Sequence, residues 1–100
     1  MSKVKHIVLL KFKEGITQEQ IAALFGEILD LTENVPGVED YVAGTNSSSE
    51  GLNKGFTHGF IMTFTDSQAR DAYLTHADHQ RVKAQILSVM DDGLAFDFEL

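Results

Sequence analysis

The chain has no cysteine and no tryptophan, a single proline, and eight basic residues against fifteen acidic ones in a length of 100. Without cysteine there is no disulfide framework, no thiolate metal site and no thiol nucleophile. The formal net charge of −7 argues against a partner with a phosphate backbone, so no nucleic acid is expected. No apolar run approaches the ~20 residues of a membrane span. The N-terminal segment lacks the continuous apolar stretch and small-residue cleavage site of a signal peptide, so a cytoplasmic protein without membrane contact is expected. What is present is enough for one core. A chain of this size buries roughly 65% of its open-chain surface, and 43% hydrophobic residues can fill that interior. Residues 1–100 therefore read as a single domain. Lys3, Lys5, Lys11 and Lys13 are the only charges before Glu14, and the other four basic residues face all fifteen acidic ones.

Residues 4–13 (VKHIVLLKFK) are β-branched and apolar with interspersed Lys, which predicts a strand. One face carries Val4, His6, Val8, Leu10 and Phe12, the other Lys5, Ile7, Leu9, Lys11 and Lys13. Thr17 with Gln20 is a capping-box start, and Ile21, Leu24, Phe25, Ile28, Leu31 and Val35 follow helical spacing. Pro36-Gly37 stops that helix, and residues 38–45 read as a weaker strand. Residues 46–55 form a polar loop, and residues 56–65 a third strand with Phe56, His58, Phe60, Met62 and Phe64 on one face. Thr65 with Gln68 opens a short helix to about Thr75, and a second helical stretch covers about 77–91. Gly93 is expected to stop it, leaving residues 94–99 as the last strand. The order β-α-β-β-α-β predicts an α+β split sandwich, a four-stranded antiparallel sheet with helices on one face.

Helices on one face leave the other uncovered. Ile7 and Leu9 lie there, and the last strand alternates Leu94, Phe96 and Phe98 with Gly93, Ala95 and Asp97. Burying a large apolar side chain is worth about 1.5–3 kcal/mol, so a wet face of this kind would be sticky. A homodimer packed sheet to sheet through Ile7, Leu9, Phe96 and Phe98 is expected. Gly93, Ala95 and Asp97 would then face the helices. Small residues beneath a helix stripe leave room for a small apolar or carbonyl ligand, and a carboxylate there needs a partner unless it is solvated.

His79, Tyr73 and Asp97 are the favoured chemical group, with His6 nearer to it than His58. A neutral His can act as base near pH 7, a carboxylate can fix its tautomer, and a Tyr hydroxyl can donate to a carbonyl or enolate oxygen. Such a set suits proton abstraction next to a carbonyl. Each residue also has a bland reading, since a lone His on an apolar strand face is usually a satisfied core residue. With the two central strands aligned flush, His6 and His58 would sit about five residues, or roughly 17 Å, apart. Neither an HExxH motif nor a close H-x-H pair is present, so no metal and no cofactor is expected. The loop at 46–55 lacks the spacing of a phosphate cradle.

VKHIVLLKFKEGIT at the start, EGLNKGFTHGFIMTF in the middle and AYLTHADHQ later resemble the stress-responsive α/β-barrel (Dabb) family over essentially the whole chain. The resemblance implies a ferredoxin-like fold that dimerises so that two sheets form a barrel. One branch of the family contains a plant polyketide cyclase that closes a linear β-polyketide by aldol chemistry without a cofactor. That branch implies His79 as general base, Asp97 as its orienting carboxylate and Tyr73 as the hydroxyl that positions a substrate oxygen. It also implies a pocket lined by His6, His58, Val8, Leu10, Phe25, Phe60 and Ala95. Ala77 stands where the family commonly has Pro in its His-Pro-x-His motif. Two functions follow as expectations: a cofactor-independent lyase or cyclase, or a non-catalytic dimeric stress or ligand-binding protein.

Overall fold

A computed structural model describes residues 2–100. Its elements are β1 (Val4–Phe12), α1 (Gln18–Asn34), β2 (Val38–Thr45), β3 (His58–Phe64), α2 (Ser67–Thr75), α3 (Ala77–Val89) and β4 (Met90–Glu99). The sheet order is β2-β3-β1-β4 with every pair antiparallel, the ferredoxin-like arrangement with β1 and β3 at the centre.

α1 starts where the capping box predicts: Gln20 N donates to Thr17 Oγ1 at 3.1 Å, and Thr17 N donates to Gln20 Oε1 at 2.8 Å. It ends at Pro36-Gly37, where Gly37 has φ +94 and a Cβ would stand 2.6 Å from Ala69 Cβ. Two boundaries differ from the sequence reading. The N-cap of α2 is Asp66 rather than Thr65, because the Asp66 carboxylate accepts from Ala69 N at 2.8 Å. Gly93 does not stop α3 but lies inside β4 opposite Leu10. The end of the Met90 side chain occupies the space a Cβ would take there, its Sδ 2.5 Å from that position.

Pairing sets residues in rows across the sheet. Tyr41, Met62, His6 and Asp97 form one row, and Thr45, His58, Leu10 and Gly93 another, both on the helix-covered face. The core beneath the helices joins Val4, Leu10, Met62 and Phe64 of the sheet to Leu24, Ile28, Leu31, Tyr73 and Val82 of the helices. The opposite face carries the row Val42, Ile61, Ile7 and Phe96. Its apolar side chains are open to solvent, with Leu94 at 48%, Phe96 at 60% and Phe98 at 44% exposure. At one end Phe12 pairs with Met90 and Lys11 with Asp92, so a bulge at Asp91 takes up one residue of register. Among the described residues no helix is long and apolar enough to cross a membrane.

Candidate active site

A cavity of about 270 Å³ lies between the sheet and α2/α3. His6, Val8, Leu10, Phe60 and Ala95 line its sheet side, with Tyr73, His79, Val82 and Lys83 on the helix side. The row geometry explains the space: opposite Leu10 and Val8, β4 offers only Gly93 and Ala95.

The break between α2 and α3 positions His79. His76 caps α3, its Nδ1 accepting from Asp78 N at 3.1 Å, so the junction holds with Ala77 at the first helical position. Of the last carbonyls of α2, Tyr73 O accepts from His76 N at 3.1 Å, and Leu74 O is left for side chains of α3. Leu74 O accepts from His79 Nδ1 at 2.9 Å and from Gln80 Nε2 at 2.7 Å. Because Nδ1 donates, the proton of the neutral ring is on that side and Nε2 keeps its lone pair. Burial pushes the His79 imidazole below its ordinary value; the bond to Leu74 opposes this, and nearby Lys83, His6 and His76 reinforce it. Near pH 7 the ring is thus a neutral base. The ring packs against Tyr73 in a tilted arrangement, centroid to centroid 4.6 Å with 55° between the planes. Burial, reinforced by the nearby Tyr41 hydroxyl, pushes the Tyr73 phenol up, so it is a hydroxyl donor at any physiological pH. Tyr41 itself is pushed up to about 12 by burial, and its hydroxyl is buried without a partner among the described residues.

Asp97 is not the partner of His79. Register puts it directly opposite His6, whose Nδ1 donates to Asp97 Oδ1 at 2.6 Å. His79 instead turns its Nδ1 to the end of its own helix pair. The other Asp97 oxygen accepts from Arg70 Nη1 at 2.8 Å, so the carboxylate is held from two sides rather than solvated. Arg70 was not legible as a site residue. It sits on α2 one turn before Tyr73 and bonds Asp71 as well, at 2.8 Å. Its two carboxylate partners hold the guanidinium still more firmly protonated than usual, Asp97 foremost.

The two remaining candidates stand apart. His58 pairs with Leu10, four positions along β1 from His6 rather than five, about 13 Å at strand rise. It bonds Thr57 Oγ1 at 2.7 Å and packs against Phe12 and Phe25, with burial pushing it below the ordinary imidazole value. Neither His58 nor Phe25 lines the cavity that holds His6 and His79. His58 borders instead a shallow concavity of about 520 Å³ that also takes in the 46–57 loop and the exposed sheet face. Among the described residues no three His, Cys, Asp or Glu side chains converge as metal ligands.

Residues 4–100 match the family described as the stress responsive A/B barrel domain, Dabb. The chain is 30% identical over 96 residues to the stress-response A/B barrel domain-containing protein HS1 of Arabidopsis thaliana, covering 96% of this chain and 88% of that one. It is 28% identical over 95 residues to the olivetolic acid cyclase of Cannabis sativa, with coverage of 95% and 94%. A crystal structure from Jannaschia sp., described as a dimeric ferredoxin-like protein of unknown function, superposes with a TM-score of 0.88 at 27% identity. That alignment covers 98% of this chain and 99% of the other.

Proposed function

The chain belongs to the stress-responsive A/B barrel family, and from that membership we propose that its sheet–helix cavity carries out acid–base chemistry on a small carbonyl compound, of the lyase or cyclase kind. His79 Nε2 takes a proton from the carbon next to the carbonyl. The C–H electron pair moves into the carbonyl, and the enolate oxygen receives a hydrogen bond from Tyr73. His6, fixed by Asp97, offers its remaining ring nitrogen, Nε2, to the same space. Returning the proton from His79 to the carbon restores the carbonyl, while attack of the enolate carbon on a second carbonyl forms an alkoxide that takes the proton from His79, giving the aldol product of a cyclase. The likeness to olivetolic acid cyclase supports this reading. The observation that carries it is a neutral imidazole whose Nδ1 is committed to Leu74, leaving Nε2 as a base in a cavity shared with a Tyr hydroxyl.

The test is deuterium uptake at the methyl group of acetophenone in D2O, followed by proton NMR. Wild type should exceed buffer, and His79→Ala should lower the rate by about 10²- to 10⁴-fold, the usual worth of a positioned base. Uptake no faster than in buffer would sink the proposal.

The exposed face supports a homodimer built sheet to sheet through Ile7, Leu9, Phe96 and Phe98. Wet phenylalanines are costly, and the Jannaschia relative is described as dimeric. A second reading has its own observation. The only protein hydrogen bond of the His79 side chain among the described residues goes to a backbone carbonyl, which a purely structural histidine would also make. On that reading the dimer binds a small ligand without turning it over, and saturable binding without deuterium uptake would establish it.

A further inference from the structure

We infer that the carbonyl compound taken by this cavity carries an anionic group, a small oxo-carboxylate, and that Lys83 is the residue that reads it. The inference rests on the acid–base reading of the site. Among the described residues lining the cavity Lys83 is the one permanent charge, and none of them is a carboxylate. Lys83 stands four residues after His79 on α3, hence one turn along the same helix face. Its charge is felt at the His79 ring. Most other cations are engaged elsewhere. Lys3 pairs with Glu39, Lys11 with Asp91, Arg81 with Glu27 and Arg70 with Asp97, while Lys5 donates to Thr63. Lys83 has no carboxylate partner among the described residues, in a chain of net charge −7.

An unpaired ammonium at the rim of an apolar cavity is placed for an anion. With the carboxylate at Lys83, the carbonyl end of the ligand reaches inward to Tyr73 and His79. The volume of about 270 Å³ falls just below the ~300–1,000 Å³ range usual for ligand sites, which suits one ring or a short acyl chain.

The experiment compares 4-oxo-4-phenylbutanoate with its neutral primary amide by calorimetry on the full chain. Wild type should bind the acid about two- to fivefold more tightly, as expected of one charge contact at an exposed lysine. Lys83→Gln should erase the preference without weakening the amide, Lys83→Arg should retain it, and added salt should shrink it. Equal affinity for acid and amide in wild type, or a preference that survives in Lys83→Gln, overturns anion recognition and leaves a site for neutral carbonyls. Failure of both compounds to bind overturns the cavity reading itself, and this inference with it.

Discussion

Arg70 offers an internal control, because one guanidinium serves two carboxylates in different surroundings. Its arm to Asp97 joins side chains that are each 22% exposed, while its arm to Asp71 reaches a side chain that is 68% exposed, both at 2.8 Å. Exposed pairs are worth about 0.2–1 kcal/mol, and breaking a buried pair costs about 3–5 kcal/mol. The Asp97 arm keeps a fifth of its surface in solvent, so its coupling should be about 1–2 kcal/mol, and the Asp71 arm should give less than about 0.5 kcal/mol. Two double-mutant cycles by urea denaturation measure both: Arg70→Gln with Asp97→Asn, and Arg70→Gln with Asp71→Asn. Because Asp97 also binds His6, Asp97→Asn alone should cost more than Arg70→Gln alone. Equal couplings in the two cycles would show that geometry at this distance, not surroundings, sets the value, and would refute the reasoning.

His79 and His58 are both harder to protonate when folded, through burial. The unfolded chain therefore takes up protons first, near its ordinary value of about 6.5. The stability involved is complete above that pH and is lost as pH falls through it toward the folded values. The slope is at most about 1.4 kcal/mol per pH unit per ring, less for rings partly in solvent. Urea midpoints between pH 7.5 and 5 should show a shallower slope for His79→Gln than for wild type, and an identical slope would contradict this. Gly37→Ala should destabilise by roughly 2–4 kcal/mol, adding a left-handed φ to an overlap with Ala69; a cost below 1 kcal/mol by the same assay would mean that α2 simply moves aside. Phe96→Asp should give a folded monomer by analytical ultracentrifugation with unchanged circular dichroism, whereas a persisting dimer would place the contact elsewhere.

The strands and their faces were legible because alternation in residues 4–13 and 56–65 is a local signal, and so was the capping box of α1. Contacts set by register were not. His6 and Asp97 are 91 positions apart, and only the pairing of β1 with β4 makes them neighbours. The sequence reading gave Asp97 to His79, and the break at His76 decided otherwise by freeing a carbonyl for His79 to bind. Arg70 carried no signal beyond being one turn before Tyr73, since an Arg beside an Asp on a polar helix looks like any solvated pair. Gly93 misled because a glycine after an apolar helical stripe usually ends it. Here a methionine three residues earlier folds over the backbone, a tertiary effect that local spacing does not encode.

β1 has two clients, one on each side. Its even-numbered residues from Val4 to Leu10 face the helices and the cavity, and its odd-numbered ones Ile7 and Leu9 face outward. In evolutionary terms the strand can drift in composition but not in length. Deleting a single residue between Val4 and Leu10 would turn His6 out to the contact face and drive an outward aliphatic into the cavity, losing both surfaces at once. The bulge at Asp91 is the point in the β1–β4 pair that already absorbs an extra residue, and residues 47–56 lie outside the strand pairing that ends at Asn46 and Thr57. Length variation among relatives of this chain should therefore collect at those two places, leaving the stretch around His6 uninterrupted.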